Sequence, residues 1–311
     1  MNIENKNVYR LSIIIPCYNA EKFLVQCFNT LQQQSYKHWE AICVDDGSYD
    51  DTLRILKEYA LTDIRIKVYT QQNQGAAKAR EYGISKATGD YVTFLDVDDT
   101  LVPGALQTMV SAFTVDADIV VSGYNVLKHG EIIRKKKFCE GQIDNLCYLK
   151  QVLCGRYGWE LWAKMYRKAL LVESLETPVG IRIGEDAAVF IQLVCRAKRI
   201  KILAECLYNY IQYSQSASHI KSLKYAEETL QSAFFIEDLL KKEAFYEQIK
   251  REIDAMFLLF YSNSSRKKRL EHNHPLVSKL RKEHFNLNAF RLIPSYKAVY
   301  ICLHYLLECC R

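Results

Sequence analysis

The chain has 311 residues, 49% of them hydrophobic and 25% charged, with Gly and Pro together numbering only 17. This suits one large domain with an appendage or two modest domains, and excludes collagen-like and wholly disordered classes. The net charge is +6 from 42 basic and 36 acidic side chains, but residues 266–311 hold ten basic and three acidic residues, so the part before them is near neutral. The eleven cysteines form no dense repeat, and Cys27, Cys43, Cys195 and Cys206 stand in apolar runs, which predicts free, buried thiols in a reducing compartment. Residues 1–10 are polar with no stretch of signal type, and no run of about 20 apolar residues predicts a spanning helix.

The first 125 residues alternate strand and helix. Leu11 to Ile15 is an apolar run stopped by Pro16, and Phe23, Leu24, Cys27, Phe28 and Leu31 then share a helical face. Glu40 to Val44 is a second strand, Asp45 to Asp51 a polar turn, Thr52 to Tyr59 a helix and Ile64 to Tyr69 a third strand. Ala76, Ala79, Gly83 and Ala87 put small side chains on one face of the next helix, as a close approach to a sheet requires. Tyr91 to Leu95 is a strand running into Asp96-Val97-Asp98-Asp99, Pro103 opens a helix reaching to about Ala112, and Ile119 to Tyr124 is another strand. Strands alternating with helices predict a mostly parallel sheet covered on both faces, which binds ligands beyond the carboxyl ends of its strands. Both acidic clusters stand at such ends and are expected on one rim.

The pattern is less regular from Val126 to Ile183, with an extended hairpin over Leu127 to Phe138, a helix over Asp144 to Cys154 and an aromatic-rich element at Trp159 to Tyr166. Glu185-Asp186 opens a helix striped with Val189, Phe190, Leu193, Val194 and Ala197, and Ile200 to Leu203 is a last short strand. Ser214 to Ser218 is a polar loop, and from about Ser222 the chain reads helical, ending in an apolar-faced helix with Tyr296, Val299, Tyr300, Leu303, Leu306 and Leu307. The expected division is a catalytic domain over 1–220 and a helical, basic region over 221–311.

Three acids in four positions at Asp96, Asp98 and Asp99 repel one another unless a cation or hydrogen bonds neutralise them, and hard oxygens suit magnesium or manganese. A solvated turn capping the next helix has the same residues. Asp45-Asp46-Gly47-Ser48 offers acceptors to a ribose or base edge, or is a turn requiring Gly47. Asn73-Gln-Gly75 with Arg80 could meet phosphate oxygens, or Arg80 is a solvated side chain. Glu185-Asp186 could supply a base to an acceptor hydroxyl, or cap its helix. Cys17 and His38 are weak nucleophile or ligand candidates. No Cys/His spacing resembles a zinc site, and no Gly-x-x-x-x-Gly-Lys stretch is present.

In combination, Leu-Ser-Ile-Ile-Ile-Pro-Cys-Tyr-Asn at 11–19, Val-Asp-Asp-Gly-Ser at 44–48, Asn73-Gln-Gly75 followed by Ala79-Arg80 and Gly83-Ile84, and Gly89-Asp-Tyr-Val-Thr-Phe-Leu-Asp-Val-Asp-Asp99 resemble the family 2 glycosyltransferases. The resemblance spans roughly residues 8–215. It implies an α/β, GT-A, Rossmann-like sheet with a helical C-terminal extension, a nucleotide-diphospho-sugar donor, here a UDP-sugar, Mn2+ or Mg2+, and inversion by direct displacement. By position, Pro16, Tyr18 and Asp46 match the part that holds base and ribose. Arg80 matches a basic residue near the donor pocket. Asp96, Asp98 and Asp99 match the Asp-x-Asp region, with Asp98 and Asp99 as metal ligands and the closer of the two left open. Asp186 matches the general base. Trp162-Ala-Lys164 resembles a Trp-x-Lys element of bacterial members that build capsule, exopolysaccharide or lipopolysaccharide, and is expected on the acceptor side.

The implied acceptor is a saccharide or lipid-linked glycan. The basic tail suits peripheral contact with an anionic membrane on the cytoplasmic side, or packs on the catalytic domain with its charges solvated. Nucleic acid explains it less well, because aromatic residues are not interleaved with a basic groove pattern. A homo-oligomer is left open. The alternative functions are a nucleotidyltransferase that forms the sugar nucleotide, which lacks its usual Gly-rich basic loop here, and a carbohydrate-binding module without catalysis.

Overall fold

A computed structural model describes residues 9–113, 116–172, 175–178, 180–213, 222–268, 270–271 and 273–301. The expected loop at Ser214 to Ser218, the division at 220, and Leu303, Leu306 and Leu307 of the last helix lie outside these residues. The chain forms two compact units, one from residues 1–143, 161–174 and 197–213, the other from 144–160, 175–196 and 214–311.

The first unit is built on one ten-stranded sheet. Strands β1 (Leu11–Cys17), β2 (Trp39–Asp45), β3 (Ile66–Thr70) and β4 (Tyr91–Phe94) are parallel in the order β3-β2-β1-β4. Helices α1 (Leu24–Gln32), α2 (Thr52–Thr62), α3 (Ala76–Lys86) and α4 (Ala105–Ala112) connect and cover them. The period of two along β1 assigns its faces. Leu11, Ile13 and Ile15 join a core with Leu24, Cys27, Phe28 and Leu31 of α1, Leu56 of α2 and Leu106 and Met109 of α4. Ile14 points the other way, towards α3, where a Cβ on Gly83 would stand 2.6 Å from Ile14 Cγ2. The small-residue face expected on this helix is what lets it lie so close.

Beyond β4 the sheet departs from simple alternation. β9 (Lys164–Arg167) inserts antiparallel between β4 and β6 (Ile119–Lys128), and β10 (Arg199–Ile211) runs parallel to β6. β1 to β4, β6 and β10 therefore all point one way, with β9 reversed among them. β5 (Thr100–Leu101) pairs antiparallel with the far end of β10, β7 (Glu131–Lys136) completes the expected hairpin on β6, and β8 (Gly141–Asp144) pairs β10. The last strand is far longer than expected, since β10 continues through Leu207, Tyr208 and Ile211.

The second unit is helical: α5 (Asn145–Leu153), α6 (Glu185–Arg196), α7 (Leu223–Leu240), α8 (Lys250–Lys267) and α9 (Pro275–His284). Asp144 and Ser222 cap α5 and α7, their side-chain oxygens accepting from the amides of Cys147 and Tyr225. Its core holds Tyr148 and Leu149 from α5, Phe190 and Leu193 from α6, Leu230 and Ile236 from α7 and Phe257 and Leu258 from α8. Val277 and Leu280 of the basic tail are buried in it. The fold is thus an α/β Rossmann-like sheet with helices on both sides and a C-terminal helical extension. Among the described residues every cysteine is a free thiol, and no helix is long and apolar enough to cross a membrane.

Candidate active site

The ends of β1, β2 and β4 lie side by side, with Cys17 in register with Asp45 and Ile14 with Phe94. The ladder carries on past the strands, because the amide of Asp46 donates to Cys17 O at 2.8 Å and that of Leu95 to Ile14 O at 3.1 Å. The loops after these strands therefore leave from one rim of the first unit. That rim gathers Pro16, Tyr18, Asp46, Asp96, Asp98 and Asp99, and Arg80 reaches it from α3, its guanidinium 2.9 Å from Asp96 Oδ1. Asp186 stands at the start of α6, in the second unit.

The rim loops are laced by polar side chains. Asn19, in the left-handed region at φ 48°, donates from its amide to Ser48 Oγ at 2.9 Å and accepts from the amide of Tyr49 at 3.1 Å. Tyr18 is left 48% exposed, with its ring edge-on to Tyr49. Asp46 is buried, and three protein donors meet it: Gln71 Nε2 at 2.8 Å and the amide of Gln74 at 2.9 Å on one oxygen, the amide of Gly75 at 2.8 Å on the other. It thereby fixes the loop that leads into α3. Asp45 accepts from Thr70 Oγ1 and the amide of Ser48.

The acidic turn closes with the amide of Asp99 donating to Asp96 O at 3.0 Å. Its three carboxylates have different surroundings. Asp96 pairs with Arg80. Asp99 is buried and ties the turn to β10, accepting from the hydroxyl of Tyr208 at 2.7 Å and the amide of Ile211 at 2.8 Å. Burial, Asp96 and Asp98 push its carboxyl well above the usual range, against the pull of those two bonds. Burial first, and Asp96 second, push Asp98 up to about 6, and only its own backbone amide opposes this. Among the described residues no other side chain donates to the Asp98 carboxylate. A divalent cation fits this donor set: hard oxygens, accumulated negative charge and one carboxylate left open.

Sequence reasoning did not single out Tyr208. Its hydroxyl donates to Asp99 and accepts from the amide of Asp96 at 3.2 Å, so one residue of β10 braces both ends of the acidic turn. Its ring stacks on Trp162 at 4.7 Å, and Trp162 in turn stacks on Tyr210 at 5.5 Å and meets Tyr124 edge-on. The only signal was the placement of Tyr208 and Tyr210 two apart, which in a strand puts them on one face. Between Trp162 and the buried Lys164, Ala163 takes φ 57°, a conformation costly for a residue with a Cβ, and its carbonyl is held by Ser122.

In the second unit, Glu185 and Asp186 are half-buried in the first turn of α6, where the helix field favours negative charge. Gly184 precedes them at φ 89°, and a Cβ there would stand 2.7 Å from Ser232 Cβ of α7, so this entry to the helix requires glycine. Buried Cys17 has its thiol pushed up by burial and three neighbouring acidic groups led by Cys43, which removes it as a nucleophile.

A sheet of this order with an acidic turn at its carboxyl rim defines a nucleotide-sugar transferase fold of GT-A type, and comparison with known proteins agrees. Residues 12–151 match the model of glycosyl transferase family 2. The uncharacterized glycosyltransferase EpsJ of Bacillus subtilis is 31% identical over 238 residues, covering 72% of this chain and 67% of that protein. The cholesterol galactosyltransferase of Borreliella burgdorferi is 26% identical over 266 residues, 81% of this chain and 74% of that one. Among solved structures, S. aureus TarS 1-349 in complex with UDP superimposes with a TM-score of 0.70 at 18% identity, covering 96% of this chain and 88% of that one. The chain belongs to glycosyl transferase family 2.

Proposed function

We propose that the protein is a metal-dependent, inverting glycosyltransferase that moves a hexose or N-acetylhexosamine from a UDP-sugar to a hydroxyl of a surface glycan. The observation that carries this reading is the rim at the ends of β1, β2 and β4, where an exposed tyrosine and an open carboxylate flank the pair of buried Arg80 and half-buried Asp96. Tyr18 offers its face to the nucleotide base. Asp46 acts by holding Gln74 and Gly75 in place, so that the start of α3 faces the donor. Asp98 is the ligand for Mn2+ or Mg2+, while Asp99 is the strut that fixes the turn to β10. A cation held there would offset charge on the departing diphosphate.

Asp186 takes the proton from the acceptor hydroxyl as that oxygen attacks the anomeric carbon from the face opposite the diphosphate, which inverts the centre. The Trp162 stack lines the acceptor side. The TarS complex with UDP supports a uridine donor, and the mannosyltransferase of Pyrobaculum calidifontis in complex with GDP-Man and Mn2+ supports the metal. The Lys- and Arg-rich tail suits an anionic membrane surface that presents a lipid-linked acceptor.

Slow hydrolysis of UDP-, GDP- and dTDP-sugars in the presence of manganese tests the donor. Turnover of a UDP-sugar that is lost on adding EDTA is expected, and metal-independent UDP binding with no donor consumed would refute the assignment. The Asp186→Asn variant should keep UDP affinity within about twofold while transfer falls about 100-fold or more, as removal of a general base does.

A further inference from the structure

The geometry points to a second divalent-metal site, of zinc type, inside the helical unit, formed by Glu237 of α7 and Glu283 and His284 of α9. Donor atoms of the three lie within 4.8 Å of one another. His284 Nε2 stands 3.4 Å from Glu237 Oε2 and 3.9 Å from Glu283 Oε2. Donors bound at about 2.0–2.1 Å in a tetrahedron are about 3.3–3.4 Å apart, so the first spacing already matches one edge of a four-coordinate site. The second needs only a rotation of Glu283, whose side chain is 43% exposed.

Two further observations, independent of that clustering, select a metal. Glu237 and His284 are 3% and 6% exposed, and Glu237 Oε2 and His284 Nε2 face each other at 3.4 Å without a well-formed hydrogen bond, Glu237 Oε2 also meeting the ammonium of Lys241 at 3.2 Å. Polar atoms so deep in a core without well-formed hydrogen bonds are costly, and one cation between them would satisfy both. The imidazole is also aimed by its other side. Nδ1 lies 3.2 Å from Asp254 Oδ1 of α8, Asn286 Nδ2 donates to the second oxygen of Asp254 at 3.2 Å, and the ring stacks on Phe257 at 3.7 Å. A carboxylate behind the ring, fixing Nδ1–H and leaving the Nε2 lone pair forward, is the arrangement that orients metal-binding histidines.

One imidazole and two carboxylates suit zinc better than magnesium, which prefers an all-oxygen shell. Three protein ligands would leave the fourth position of a tetrahedral zinc ion to water. The neighbouring cation is Lys241, 3.2 Å from Glu237 Oε2 and 46% exposed, a surface side chain able to turn away. Since the ligands come from α7 and α9 and their brace from α8, a metal here would pin the three helices together.

The test uses the full chain, stripped with EDTA, desalted and titrated with zinc chloride alone and with cobalt chloride alone. One equivalent of zinc should bind and raise the melting temperature, and cobalt should give the intense visible absorption of a four-coordinate ion. His284→Gln should abolish the cobalt band, and Glu283→Gln, at a surface position that leaves folding intact, should weaken zinc about tenfold or more, while Asp254→Asn weakens it about 10–100-fold. Asp98→Asn should leave the cobalt band unchanged. Zinc affinity indifferent to Glu283→Gln, or a cobalt band that survives His284→Gln, would overturn the site and leave His284 as an imidazolium between two carboxylates.

Discussion

Replacing Tyr208 by Phe removes one hydroxyl and leaves the volume of the ring in place, which isolates the brace between β10 and the acidic turn. The hydroxyl is fully buried and serves two partners, donating to Asp99 at 2.7 Å and accepting from the amide of Asp96 at 3.2 Å. A bond to an ionised carboxylate contributes roughly 1.5–3 kcal/mol, and a buried amide left without an acceptor costs about 1–3 kcal/mol more. Part of this is recovered because Asp99, already pushed up by burial and by its acidic neighbours, loses one of the two bonds that restrain it and moves towards its neutral form. A net loss of about 2–4 kcal/mol is therefore expected, with the packing of Trp162 preserved. Urea unfolding followed by tryptophan fluorescence gives the single-variant value, and a cycle with Asp99→Asn gives the coupling. The coupling should exceed about 1 kcal/mol, and UDP titration should show weakened binding in the presence of manganese. A Tyr208→Phe loss below about 0.5 kcal/mol, or additivity of the two substitutions within that margin, would refute the role given to the hydroxyl.

Tyr18→Ala should weaken UDP binding by an amount equivalent to about 1–3 kcal/mol of base stacking, read by calorimetry, with unchanged melting. Gly83→Ala should cost about 1–3 kcal/mol in urea unfolding, because its methyl would meet Ile14 Cγ2 at 2.6 Å on a strand that has no room to retreat. Glu40 is buried and accepts from Ser12, Lys67 and both donors of Thr88; burial alone would raise its carboxyl, but these bonds outweigh it and hold it down at about 2. A lowered folded value means its stabilising contribution is complete above the ordinary value of about 4.5 and is lost as pH falls towards 2. Wild type should thus lose stability over that window by more than Glu40→Gln does, and parallel acid profiles for the two would refute the assignment.

The parallel half of the sheet was legible because its side chains report their own faces. Ile13 and Ile14 belong to opposite sides by simple alternation, and Gly83 could be identified as a contact point from the small residues that share its helical face. The acidic clusters ended on one rim because each follows a strand in a parallel array. The other half resisted for a different reason. β5 has only two residues, and β9 is short and reversed, so neither carries enough period to be seen. The continuation of β10 past Leu203 is interrupted by Glu205 and by shifts of register against β6. Asp98 and Asp99 look equivalent in sequence; only a strand more than a hundred residues away makes one a strut and leaves the other open. His284 was equally silent, since two of its carboxylate neighbours, Glu237 and Asp254, lie on other helices.

The strut from Asp99 to residues 208–211 also bears on how the chain matures. The first 113 residues hold β1 to β4 and the acidic turn itself, and on a ribosome they emerge long before the segment that fixes that turn. A nascent chain can therefore assemble its parallel core early, yet it acquires a fixed acidic turn only after β10 has been synthesised and has docked beside β6 and β5. A chain terminated before Arg199 would thus carry β1 to β4 and the acidic turn without the two bonds that hold Asp99 in place.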